Sequence, residues 1–384
     1  MAHLCSLPND VYQLILPRLS FCDVLRLEAT CRFCQKVCQL YWRTLVSLDM
    51  IPLLNANSSD VLHHGYKFDR VAKNLILRAS PYLKRLSLSS FGPLDYSLQT
   101  GLENAVLDYC GRLQAIELNN RILDKDWLVE LAKRNPGLRQ VSLCNVYVRN
   151  RAGLDDELLA TLLHFLSQLQ VLVLRDNQYL RMSCYAALPP SLLKVLAMTY
   201  VRGMTYIASP LMRNIHTLTV NTIAQMCQTD FFIKPFDVFA NLRSLSVSSH
   251  MMTDSMFAVI GQCFLKLQEL YIFGNRASFV RSVTCSFLQL KQLPFLRKIG
   301  TQENPMGRTL LLLCYHFPKL QELDLSYAIK ERDLDDVWCD IHSNVLEVLI
   351  MKGFTPASVD SSSCQRTVLE KLRPLCPLLR KVIL

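Results

Sequence analysis

The chain has 384 residues, 51% apolar and only 19% charged, with a formal net charge of +10. That composition excludes a mainly disordered chain, and the length is too great for one ordinary compact core, so two or three domains, or a repeat domain plus a small module, are expected. Fifteen scattered cysteines fit free thiols in a reducing compartment better than a secreted disulfide scaffold, and no apolar stretch reaches the ~18–20 residues that span a bilayer.

The N-terminal segment, residues 4–48, reads as a small helical module. Leu7-Pro8-Asn9-Asp10-Val11 opens it, and no signal peptide is read, because Asp10 falls where an apolar run would sit. Helical spacing links Val11, Leu14 or Ile15, and Leu19, and a second apolar face joins Val24, Leu27 and Cys31. Pro17 removes a backbone bond and is expected to kink the end of the first helix. Cys31, Cys34 and Cys38 could hold a metal or an iron–sulfur cluster. On a helix, however, their spacing is that of a packed face, and buried packing is the expectation. A module of some forty residues with this much apolar surface has a thin core and calls for a partner.

The ordered set Leu7-Pro8, Ile15-Leu16, Leu19, Asp23-Val24-Leu25, Leu27, Cys31-Arg32, with Trp42 and Leu45 leading out, resembles the F-box. Cys34 stands where family members often carry Trp. The resemblance implies docking to a Skp-type adaptor and, through it, to a cullin–RING core, with Leu7, Pro8, Ile15, Leu16, Leu19, Leu25 and Leu27 supplying the contact or its support.

Residues 50–80 are ambiguous: Leu48-x-Met50 and Leu75-x-Leu77 both look strand-like. From about residue 80 the pattern Leu-x-x-Leu-x-Leu recurs, with other aliphatics allowed. Three copies carry a following Asn, at Asn177, Asn275 and Asn304. Twelve copies between Leu88 and Leu384 give a mean period of about 27 residues, within the ~20–29 of a leucine-rich repeat. Inside each copy, aliphatics two apart share one side of a short strand. Between copies the spacing turns helical: Leu159, Leu162, Leu163 and Leu166 follow Asp155-Asp156; Phe257, Ile260 and Phe264 follow Thr253-Asp254; Val368, Leu369, Leu372 and Leu375 form another such face. No strand–turn–helix unit buries its apolar side alone, so stacking is required. Cys or Pro just before several strands, as in Phe317-Pro318 and Cys376-Pro377, resembles the cysteine-containing repeat subtype common in F-box proteins.

The expected fold is α/β: an F-box over residues 1–48, then a leucine-rich-repeat solenoid over 49–384, with parallel strands on a concave face and helices on a convex one. No phosphate-cradling glycine loop, zinc-protease motif or nucleophile elbow occurs. Neither an enzyme nor a cofactor is expected. The resemblance implies a receptor that brings a target protein to a ubiquitin ligase in the cytoplasm or nucleus. A solenoid scaffold or inhibitor with no ubiquitin role is the alternative. Residues beside the buried aliphatics point to the open strand face, where Ser87, Ser89, Ser142, Ser246 and Ser248 are small and neutral. Tyr271 and Phe273 are large, and with Arg175 and Tyr327 they are the target-binding candidates. Lys84-Arg85, Arg139, Lys194, Arg243, Arg297-Lys298 and Arg380-Lys381 recur at one repeat position and form a basic edge. That edge is either a solvated rim or a dock for an acidic target. The His63-His64 pair has no partner motif, and Phe231, Phe232, Phe236 and Phe239 are either core or an apolar patch.

Overall fold

A computed structural model describes residues 7–50, 65–89, 100–150, 153–181, 193–200, 213–222, 239–274, 287–302, 310, 314–328, 342–353 and 361–384. The chain divides into two compact units, with the division at residues 181–190.

The first unit opens with three helices: α1 (Asn9–Ile15), α2 (Phe21–Glu28) and α3 (Arg32–Thr44). Pro17 acts as expected, since α1 stops at Ile15 and the chain tightens into a 3-10 turn over Leu16–Arg18. Ser20 caps α2 by accepting the Asp23 N–H at 3.1 Å. Tyr12, Leu16, Val24, Cys34, Val37, Cys38 and Trp42 form the small core. Cys31 lies outside the second apolar face: α2 ends at Glu28, and Cys31 is the exposed cap of α3, its sulfur accepting the Cys34 N–H at 3.4 Å.

The chain then enters strand β1 (Ser47–Asp49), which spans the expected domain boundary and pairs in parallel with β2 (Arg85–Ser87). Between them lies α4 (Gly65–Ala79). Leu48-x-Met50 is thus strand-like as read. Leu75 and Leu77 sit in a helix, where Ala72, Leu75, Ile76 and Ala79 are buried at helical spacing and Leu77 is exposed. Helix α3 packs on α4, and Arg78 bridges to Glu28 at 2.6 Å, tying the N-terminal helices to the first repeat.

The repeats continue with α5 (Thr100–Tyr109), β3 (Ala115–Glu117), α6 (Lys125–Arg134), β5 (Gln140–Ser142), α7 (Asp156–Phe165) and β7 (Val171–Leu174), with a two-stranded accessory ribbon, β4 (Ile122–Leu123) and β6 (Tyr147–Val148). The strands β1, β2, β3, β5 and β7 pair in that order, all parallel. In the second unit eight more parallel strands run in sequence order: β8 (Val195–Tyr200), β9 (Thr217–Thr222), β10 (Ser244–Ser248), β11 (Glu269–Phe273), β12 (Lys298–Thr301), β13 (Glu322–Asp324), β14 (Val348–Ile350) and β15 (Lys381–Ile383). Helices α8 (Asp254–Cys263) and α9 (Ser361–Leu372) alternate with them. Among the described residues no helix is long and apolar enough to cross a membrane.

The register explains the spacing of the leucines. Leu245, Leu270, Ile299, Leu323 and Leu349 stand opposite one another across β10 to β14, and each is fully buried. Each such side chain removed from water stabilises the stack by about 1.5–3 kcal/mol. Asp155 and Thr253 cap α7 and α8 as their positions suggest, accepting the N–H of Leu158 at 2.9 Å and of Met256 at 3.3 Å. Asn135 spans adjacent repeats, accepting the Leu113 N–H at 2.9 Å and donating to the Leu131 carbonyl at 3.1 Å. Repeated parallel strands with helices on the opposite side define a leucine-rich-repeat solenoid.

Candidate protein-binding surfaces

The N-terminal helices divide the seven adaptor candidates by exposure. Leu16 is buried and supports the module. Leu7, Ile15, Leu19, Leu25 and Leu27 are half-buried, and Pro8, the cap of α1, is exposed. The largest uncovered apolar side chain of these helices is Leu14, 67% exposed, followed by Leu40 at 49%. Leu14 shares the helical spacing of Val11 and Leu19, a signal present in the sequence, but the resemblance passes over it in favour of Ile15. Cys34 and Cys38 are buried packing residues. Burial, followed by the Glu28 charge, pushes the Cys38 thiol up to about 11. With Cys31 exposed, the three sulfurs do not converge, and among the described residues no group of three or more His, Cys, Asp or Glu side chains could hold a metal ion.

On the open strand face of the second unit, the structure brings Tyr271, Phe273 and Tyr327 into one neighbourhood. Tyr271 pairs in register with Ser246 on one side and Gly300 on the other. Its ring lies over Gly300: a Cβ there would run into Tyr271 Cδ2 and Cε2 and approach Asp324 Cβ at 3.2 Å. Gly300 therefore makes the berth that lets a large side chain lie flat on the sheet. Burial, reinforced by the Asp324 carboxylate, holds the Tyr271 hydroxyl above its ordinary value, and the hydroxyl bonds the Gln302 side chain. Asp324 accepts from both the backbone and the hydroxyl of Ser326, at 3.0 and 2.7 Å. Alongside, Lys298 bridges Glu322 at 2.7 Å. Partial burial pulls the lysine down, but Glu322 outweighs it and the net shift is upward.

Tyr327 differs in kind. The backbone two residues beyond the last buried aliphatic is left-handed in six repeats, at Asn120, Asn145, Asp176, Gly274, Tyr327 and Gly353. Gly, Asn and Asp tolerate that region, whereas a bulky side chain there is strained. Tyr327 holds φ at 63° with its side chain 66% exposed and its ring against Gly353, itself left-handed at φ 80°. An exposed aromatic held in a costly backbone conformation is a feature of sites where strain serves function. Phe273, half-buried, ends β11 in register with Ser248. Arg175 belongs to the first unit, exposed just beyond β7, and its carbonyl accepts the Asn145 N–H at 2.9 Å. The glycine berths escaped sequence reasoning. Of the two, only Gly353 falls at the position two beyond the last aliphatic, which reads Asn, Asn, Asp, Gly, Tyr and Gly; Gly300 lies inside β12 and carries no such signal.

The serines expected on this face are more enclosed than their side suggests: Ser87, Ser89, Ser142 and Ser248 are buried and Ser246 is half-buried. Of the basic edge, Arg85 donates to Gln140, Arg297 to Gln268, and Arg380 pairs with Glu347. Phe239 is core, meeting Phe264 edge-on at 6.3 Å. Phe231, Phe232, Phe236, His63, His64, Asn275 and Asn304 lie outside the described residues.

The arrangement is that of a leucine-rich-repeat fold, with exposed apolar side chains on the N-terminal helices and an aromatic neighbourhood on the open strand face of the second unit. No family model matches the sequence, and no curated protein does. Among solved structures, the chain is similar to a Rad7–Elc1 complex from yeast, with TM-score 0.47, 14% identity, and coverage of 91% of this chain and 88% of that one. It is also similar to the leucine-rich-repeat protein LegL7 from Legionella pneumophila, with TM-score 0.43, 14% identity and coverage of 80% and 95%. A TLR13–ssRNA13 complex matches with TM-score 0.39, 17% identity and coverage of 79% and 46%.

Proposed function

We propose that this chain is the substrate-recognition receptor of an SCF-type ubiquitin ligase, acting in the cytoplasm or nucleus. In this reading the N-terminal helices are an F-box that docks a Skp-type adaptor and, through it, a cullin–RING core. The repeats hold a target protein by the patch of Tyr271, Phe273 and Tyr327, with Arg175 as a separate contact. The observation that carries the reading is the module itself. Its core is only a handful of side chains, while Leu14 stands two-thirds exposed beside the partly buried Leu7, Ile15, Leu19 and Leu25. Apolar surface of that kind beside a small core asks for a partner. The mechanism is proximity: a bound target meets the ubiquitin-loaded enzyme at high effective concentration. The receptor itself needs no reaction centre.

The test is affinity purification of the tagged chain from cells, with mass spectrometry of the proteins recovered alongside it. An adaptor and a cullin should co-purify, and Leu14→Asp with Leu25→Asp should remove both while the repeats keep their far-ultraviolet circular dichroism. A folded double variant that still recovers the adaptor would refute the assignment. Recovery of a tight partner with no adaptor from the native chain would favour a scaffold or inhibitor.

A further inference from the structure

The basic edge of the first unit contains more than sequence spacing reveals. Two half-open cavities, of about 370 and 420 Å³, lie along the edge where the chain enters the strands. They share Arg112 and Gln114 and so form one groove. Four cations line it: Arg43, Lys84, Arg112 and Arg139. Among the described residues no carboxylate lines either cavity. All four cations are exposed, and none of them is in an ion pair with a described residue. Elsewhere basic side chains find partners, as Arg78 does with Glu28, Arg134 with Glu130, Lys298 with Glu322 and Arg380 with Glu347. Four cations with no ion-pair partner among the described residues face one groove and repel one another, and an anionic occupant relieves that repulsion.

The backbone sets their spacing. The N–H of Lys84 bonds the carbonyl of Val46, that of Gln114 the carbonyl of Lys84, and that of Arg139 the carbonyl of Gln114, at 2.9, 2.7 and 2.8 Å. Lys84 and Arg139 therefore stand two strand steps apart, roughly 10 Å. That is too wide for one carboxylate to bridge and suits acidic side chains about three residues apart on an extended chain. Three of the four are arginines, whose planar forks take carboxylates in pairs of hydrogen bonds.

We infer that this groove, lined by Arg43, Lys84, Arg112 and Arg139, is a docking site for an acidic peptide segment of a protein partner. Two features favour peptide over nucleic acid. Gln114 and Gln168 offer amide oxygens that the N–H groups of a peptide backbone satisfy and a phosphodiester backbone does not. Among the described residues the only aromatic side chain in the groove is Tyr82, where single-stranded nucleic acid is held on several stacking platforms.

The groove carries its own blocking position. A Cβ added at Gly137 meets nothing within 4 Å, and the residue has no left-handed backbone, so Gly137→Glu places a negative charge at the groove without a clash. The experiment is fluorescence anisotropy of the full-length chain with a labelled oligoglutamate peptide, an oligolysine peptide and an oligothymidylate of matched charge. Oligoglutamate should bind at low ionic strength and oligolysine should not. Arg112→Glu, Arg139→Glu and Gly137→Glu should each weaken binding about tenfold with unchanged thermal unfolding. Absence of oligoglutamate binding at low salt overturns the proposal, as does binding that all three folded variants leave intact. Tighter capture of oligothymidylate through the same residues overturns the peptide assignment in favour of nucleic acid.

Discussion

Asn177 offers the sharpest test of how the repeats hold together. It is 4% exposed, and its side chain joins two repeats. Its Nδ2 donates to the carbonyls of Leu143 at 2.5 Å and Leu174 at 3.0 Å, and its Oδ1 accepts the Val146 N–H at 3.0 Å. In Asn177→Ala the buried Val146 N–H loses its partner, at a cost of roughly 1–3 kcal/mol, and the carbonyl of Leu143 loses a donor, at about 1 kcal/mol more. The sum is about 3 kcal/mol. For a unit of this size that corresponds to a fall in melting temperature of roughly 6–12 °C. Asn177→Asp separates the two halves of the argument. It keeps the acceptor but aims a carboxylate at two carbonyl oxygens, so it should lose at least as much at neutral pH. Its carboxyl has a raised pKa in the fold, so stability should return as pH falls and the proton can again be donated. Urea titration of the full chain, followed by circular dichroism and by amide exchange at Val146, measures both variants. A loss below about 1 kcal/mol in Asn177→Ala, with Val146 protection unchanged, would refute the reasoning.

Four further outcomes are expected. Tyr271→Ala with Phe273→Ala should abolish capture of whatever protein co-purifies with the repeats while leaving adaptor recovery intact. Gly300→Ala, which fills the berth beneath Tyr271, should reproduce part of that loss without deleting any side chain; both are read from pull-downs of folded protein. In native protein an alkylating reagent should label Cys31 but spare Cys38, Cys110 and Cys314 in mass spectra, because burial pushes the last three up to about 11, 12 and 12. Labelling of all four at equal rates would contradict this. Glu103→Gln should stabilise the first unit at neutral pH. Burial raises the Glu103 carboxyl, with Arg149 opposing and Asp124 and Asp69 reinforcing. Stability is thus full below the ordinary glutamate value and falls as pH rises through the raised one. The gain measured by thermal unfolding should therefore vanish near pH 4. Equal stability of the two proteins at pH 7 would count against the burial argument.

The repeats were legible because their signal is redundant: each aliphatic pair at period two recurs at a fixed interval, so Leu270 and Ile272 fall on β11 where the spacing puts them. Caps were legible for the same local reason, since Asp155 and Thr253 act on N–H groups two or three residues away. Helix α4 was not. Its first residues carry little apolar pattern, and Leu75-x-Leu77 imitates a strand over a window too short to reveal that Ala72, Ile76 and Ala79 complete a helical face. At the candidate site, sequence alternation put Tyr271 and Phe273 on the open face. The berth at Gly300 and the left-handed backbone of Tyr327 depend on neighbouring repeats and on φ, which no residue-type rule carries. The groove of the first unit was only half visible, because Arg43 comes from a helix and Arg112 from a turn, neither at the repeat position that made Lys84 and Arg139 conspicuous.

The Arg78–Glu28 bridge, with α3 seated on α4 and β1 already part of the sheet, gives the N-terminal helices a mount instead of a leash. A swivelling linker samples many distances and dilutes every encounter, whereas a fixed bracket concentrates them at one bearing. If the N-terminal helices dock a ligase core as proposed, any partner seated on the first unit is aimed, and only those of its lysines within that narrow line of fire are reachable by the enzyme. Selection among lysines would then follow from geometry laid down at Thr44 and Ser47, where the bracket turns from helix to strand.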